Sequence, residues 1–149
     1  MEDLKMKTFY KITKERHQKE FNDFSKKSMF FAFDKKQFEE GMKKLGLEPT
    51  ETNKIVSIGA GGYLLKDRID EFKNLAKKQK EELKQLRKNK KQFAADMFAY
   101  ELANHEFGLT YDLSETLDAL GMTLSGIKKE PETYEALKEV LKEQYNYTL

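Results

Sequence analysis

The chain has no cysteine, no tryptophan and only two prolines in 149 residues. Without cysteine there are no disulfides, thiolate zinc sites or cysteine nucleophiles, which fits a reducing compartment. No stretch approaches the roughly 18 consecutive apolar residues of a membrane span. The segment Met1–Tyr10 lacks the apolar core of a secretory signal, so a cytoplasmic location and no membrane partner are expected. The frames of familiar catalysis are missing too. There is no nucleophile elbow, no Ser-His-Asp order and no paired Glu-x-x-His. No catalytic residue, metal ligand set or cofactor is therefore assigned, and a non-enzymatic protein is expected.

Charge and aromatic residues are abundant instead. Charged residues make up 36% of the chain and apolar ones 38%, and 11 Phe with seven Tyr supply the bulk of a core. Residues 1–92 hold 24 Lys/Arg against 15 Asp/Glu, whereas residues 93–149 hold 4 against 11. Such a contrast either steers a charged partner or lets the two parts of the chain complement one another within the fold.

Hydrophobic periodicity outlines the elements. Residues 1–27 read as a polar helical arm, with Phe21 and Phe24 on one face. Met29–Phe33 is a continuous apolar run, expected as a buried strand. Asp34 is placed to cap the next helix, with Gln37 at the capping-box position and Gly46 as the terminator. Ile55–Ile58 and Tyr63–Leu65 flank a glycine-rich break at Gly59–Gly62, the pattern of a β-hairpin. A long, charged helix follows over Asp67–Asn89, with Ile69, Phe72, Ala76, Gln79, Leu83 and Leu86 on one stripe. Phe93–Phe107 is apolar around most of its circumference, which predicts a buried helix ended by Gly108. A short helix capped by Asp112 and a last helix opening at Pro131 complete the chain. The fold class is helix-dominated α+β. Residues 28–149 form one domain in which four to five helices cover a two- to three-stranded antiparallel or mixed sheet.

Three constellations carry possible chemistry. Glu101 and His105 stand one helical turn apart, enough for a proton-sharing pair and short of a zinc ligand set. Asn104 and His105 also suit a helix end, where a cation meets the negative end of the dipole. The basic helix of residues 66–91 offers Lys77, Lys84, Arg87 and Lys88 as a phosphate-binding face. The last helix offers Glu135, Glu139 and Glu143 as an acidic one. Tyr145 and Tyr147, beyond the clear amphipathic pattern, are candidate anchors for a partner or for a second copy of the chain.

The runs His17–Phe24, Met29–Asp34 with Gln37–Gly41, Ile58–Lys66, Tyr100–Phe107 and Thr116–Gly121 resemble, in this order, a family of small uncharacterised proteins. Bacteriophages and prophage-carrying bacterial genomes encode that family. The resemblance implies a bacterial host cytoplasm and carries no activity or site with it. The expected function is accordingly binding of a host protein or ribonucleoprotein complex, in the manner of an inhibitor of a defence nuclease such as a CRISPR effector. A nucleic-acid-associated accessory protein acting through the basic helix is the alternative. A metal-assisted hydrolase around Glu101 and His105 is the third reading.

Overall fold

A computed structural model describes residues 7–149. The chain folds as α1 (Phe9–Ser28), β1 (Met29–Phe31), α2 (Lys35–Lys44), β2 (Ile55–Gly59), β3 (Gly62–Leu65) and α3 (Ile69–Asn89). It continues as α4 (Lys91–Asn104), α5 (Phe107–Thr110), α6 (Ser114–Ala119), α7 (Leu124–Ile127) and α8 (Pro131–Tyr145). This is the helix-dominated α+β architecture expected, and the sheet is wholly antiparallel with the order β1-β3-β2.

The elements group into two compact units. One is Glu15–Lys80, and the other joins the described residues up to Lys14 to Glu81–Leu149. Both boundaries fall inside helices, α1 and α3, so no Pro/Gly-rich linker marks them in the sequence.

In the sheet unit, β1 pairs with β3 in the register Phe30 to Tyr63 and Phe31 to Gly62. Phe30 stacks on Tyr63 with ring centroids 5.2 Å apart and meets Phe38 of α2 edge-on at 5.7 Å. Ala32, Met42 and Ile55 complete this small core. The Asp34 cap forms as expected, with Gln37 N–H donating to Asp34 Oδ1 at 2.7 Å, while the Gln37 side-chain oxygen accepts at 2.7 Å from Phe33 N–H, one residue before the N–H that a capping box uses. The β2–β3 turn places Ala60 and Gly61 both at positive φ, as a primed hairpin turn requires. The run Met29–Phe33 is not buried throughout. Met29, Phe30 and Ala32 are inside, but Phe31 and Phe33 are exposed. A five-residue apolar run has no periodicity from which the outward members could be read.

Further along the same unit, α3 packs by Phe72, Leu75 and Gln79, while Ala76 faces out. Leu75 holds the place expected of Ala76, because it brings more apolar surface to the same edge of the helix. Gln79 sits in this stripe with its amide satisfied: it donates to the His17 carbonyl and to Glu20, each at 3.0 Å. That bond leads the causes that hold the Glu20 carboxyl below its ordinary range.

The helical unit is built on α4 against α8. Phe93, Ala94, Met97, Phe98 and Leu102 meet Ala136, Leu137, Val140 and Leu141 in one buried cluster. Each fully buried large side chain there contributes on the order of 1.5–3 kcal/mol. Gly108 does not end α4. The helix stops at Asn104, and Glu106 takes the left-handed conformation at φ 55°, leaving Gly108 inside α5.

Candidate functional site

Helical geometry turns the basic run of α3 into one stripe. Lys73, Lys77, Lys80, Lys84 and Lys88 follow i, i+4, i+7, i+11, i+15, which keeps them within about 80° of arc and steps them ~4.5–6 Å along the axis. All five are exposed, and among the described residues none has an ion-pair partner. Asp70 falls at one edge of this arc and Glu81 just outside it, and Glu81 accepts from Gln85 at 3.1 Å. Unneutralised cations at this spacing can follow a phosphate backbone.

Of the four expected residues, Lys77, Lys84 and Lys88 lie on the stripe. Arg87 does not. Its guanidinium turns to Glu130 at the start of α8, with Nε 3.3 Å and a terminal nitrogen 3.4 Å from the two carboxylate oxygens. Only 14% of the Arg87 side chain is exposed, and the Thr133 hydroxyl donates to the same carboxylate at 2.9 Å. Arg87 is a structural cross-brace within the helical unit. Lys73 and Lys80 belong in its place, and their heptad spacing to the others was the signal.

The acidic face is partly neutralised by the protein itself. Glu135 pairs with Lys138 at 3.3 Å, and Glu139 pairs with Lys91. The Glu139 hydrogen bond is also the main cause raising the Lys91 pKa. Glu143 is exposed with no ion-pair partner among the described residues. Lys91–Glu139, Lys14–Glu101 and Arg87–Glu130 each join the basic stretch to the acidic one, so the charge contrast along the chain is partly consumed within the helical unit.

Glu101 is the most enclosed acid among the described residues, 3% exposed on α4. Its Oε2 accepts from the Tyr10 hydroxyl and from Lys14 Nζ at 2.6 Å, both on the first turns of α1. Burial first, and then the bond to Glu101, hold the Tyr10 phenol far above its ordinary range. Lys11 and Lys14 also lie over the Tyr100 ring, at 4.8 and 4.9 Å from its centroid. His105 Nε2 is 3.9 Å from Glu101 Oε1, and no group of three His, Cys, Asp or Glu assembles here or elsewhere among the described residues. Asp96 accepts from Gln92, and Asp112 from the Ser114 backbone and hydroxyl, which lower its pKa. The Glu101 cluster is thus a buried clasp between α1 and α4, in which a tyrosine and a lysine hold the carboxylate.

Tyr145 and Tyr147, expected as free anchors, are half-buried. Both meet Phe107 edge-on, at 5.1 and 5.4 Å. They close the end of the helical unit.

No helix among the described residues is long and apolar enough to cross a membrane. The architecture and its exposed lysine row define a helix-dominated α+β protein with one basic helical face. Residues 9–143 match the model of a family of unknown function, DUF7659, and the chain belongs to that family. No curated protein and no solved structure matches it.

Proposed function

We propose that this protein acts without catalysis, by binding nucleic acid, either free or carried in a host ribonucleoprotein. One observation carries the reading: five exposed lysines in register along α3, none with an ion-pair partner among the described residues. Solvated helix faces usually interleave both signs, whereas here five lysines share a face with only Asp70 and Glu81 at its margin. The acidic face supports nucleic-acid mimicry less well, because Glu135 and Glu139 are already paired. The resemblance to phage and prophage proteins supports a setting in a bacterial cytoplasm. There, a defence nuclease holding its guide strand, such as a CRISPR effector, presents a partner of this chemistry.

The test is affinity capture of tagged protein from bacterial lysate, with and without nuclease, alongside the variant Lys73→Gln/Lys77→Gln/Lys84→Gln. Recovery of nucleic acid or a ribonucleoprotein by the native chain, and its loss with the variant, is the expected result. A protein partner retained by the variant and unaffected by nuclease would sink the proposal.

A further inference from the structure

Phe33 follows β1 and is 76% exposed, although it precedes a capped helix where an apolar residue ordinarily folds back onto the first turn. That fold-back would close Phe33 on Phe38. Instead, the Phe38 ring contacts go to Phe30 and Tyr63. One edge of the Phe33 ring sits against Gly61, so close that a Cβ there would fall 2.5 Å from Cε1. Its backbone is pinned by the Gln37 side chain. Glycine at the turn and the α2 cap therefore hold this ring outward.

Phe33 stands as a ridge between two open grooves of about 330 and 470 Å³. The first has Tyr63 and Phe38 in its lining with Asp34 and Lys35 at its edge, and the second has Phe30 and Phe31 with Glu40 and Lys44. Lys35 and Lys36 have no ion-pair partner among the described residues, while Lys44 donates to the Met29 carbonyl at 3.0 Å. Lys35 and Lys36 also occupy the first turn of α2, where the helix dipole disfavours cations. A phosphate bound there would meet both cations and the positive end of the helix.

We infer that Phe33 and its two flanking grooves form a stacking site for the bases of a single-stranded nucleic acid. One base lies on each side of the ring. Lys35 and Lys36 meet the phosphates, and the Asp34 and Glu40 carboxylates can accept from a base N–H such as thymine N3–H. The occupant follows from the exposed ring together with the lysines beside it: a flat aromatic face next to Lys35 and Lys36, neither paired among the described residues, suits a strand of bases and phosphates, while each groove also carries one carboxylate, Asp34 or Glu40. This inference rests on the nucleic-acid reading above and adds a site and a strand state to it.

The experiment uses an oligodeoxythymidine of about twelve nucleotides, within the ~4–16 range of single-strand sites, and an abasic strand of equal length. The variants are Phe33→Ala, Phe33→Trp and Lys73→Gln/Lys77→Gln/Lys80→Gln. Since the chain has no tryptophan, Phe33→Trp is a unique fluorescent reporter. Phe33→Ala is expected to weaken oligodeoxythymidine binding roughly 5- to 150-fold, the range for a lost base stack, and to leave the abasic strand unaffected. Phe33→Trp should bind like the native chain and lose fluorescence on oligodeoxythymidine only. A thermal melt confirms that each variant keeps the native fold. Native affinity in Phe33→Ala, with loss in the lysine variant, would overturn this inference and leave the nucleic-acid reading standing. Failure of the native protein to bind either strand would overturn both. If Phe33→Ala instead loses a captured host protein while both strands bind as before, the ridge is a protein contact.

Discussion

Replacing Gly41 with alanine sets two effects against each other. Gly41 lies in the middle of α2, where alanine is favoured by about 0.8–1.0 kcal/mol on helix propensity alone. The structure opposes this. A Cβ at position 41 would fall 2.0 Å from Phe30 Cδ1 and 2.3 Å from Cγ. These are rigid ring atoms of a residue only 5% exposed, and the ring cannot swing aside because Tyr63 stacks on it and Phe38 meets its edge. Overpacking a closed core costs ~1–3 kcal/mol, and expelling the ring altogether costs about 3–5 kcal/mol. Because the held ring cannot yield in place, the expulsion cost applies, and net of propensity Gly41→Ala should destabilise the sheet unit by roughly 2–4 kcal/mol. With a urea m-value of about 2 kcal/mol/M, the midpoint falls by ~1–2 M. Urea denaturation followed by far-UV circular dichroism reads this directly. The double variant Gly41→Ala/Phe30→Leu should recover part of the loss, since a narrower side chain makes room for the methyl. An unchanged or raised midpoint in Gly41→Ala would refute the packing argument and show that propensity governs this position.

Other expectations follow from the helical unit and the stripe. Tyr10→Phe should cost about 1.5–3 kcal/mol in denaturation, because it removes a hydrogen bond to a buried carboxylate. Because the folded Tyr10 pKa is raised, its contribution is complete below the ordinary tyrosine value of 10.0 and is lost as pH climbs above it. Tyr10→Phe should therefore flatten the decline in stability above that pH. Arg87→Ala should lower stability by roughly 1–3 kcal/mol and barely change nucleic-acid affinity, while Lys84→Ala does the reverse. In salt titrations of single-strand binding, the variant lacking Lys73, Lys77 and Lys80 should show a log–log slope shallower by ~2, about 0.7 per phosphate contact. An unaltered slope would remove those lysines from the interface.

Local chemistry made much of the fold legible. The Asp34 and Gln37 cap, the Gly46 stop at φ 75°, the glycine hairpin and Pro131 at the start of α8 all work through neighbours in sequence. What escaped depends on distant partners. Leu75 against Ala76, and the outward turn of Phe31 and Phe33, are decided by what packs alongside them. Arg87 reads as one more surface cation until Glu130, 43 residues on, arrives beside it. The end of α4 misled for another reason: Glu106 adopts a left-handed conformation that glycine ordinarily supplies, so the punctuation sat two residues early. The lysine stripe was fully encoded, since its spacing needs only the helix repeat. The Phe33 ridge was hidden in an apolar run whose inside and outside are chosen by the sheet.

The clasp at Glu101 also sets a schedule. Its partner Tyr10 lies 91 residues earlier in the chain. During synthesis at ~5–20 residues per second, the first turn of α1 leaves the ribosome roughly 5–18 s before the carboxylate that receives its phenol. Residues 15–80, with their own sheet and core, are complete in the interval. The chain's opening turn therefore waits, its tyrosine in water, while the segment behind it is able to fold. Pausing translation between Lys80 and Glu101 should lengthen that wait without touching the sheet.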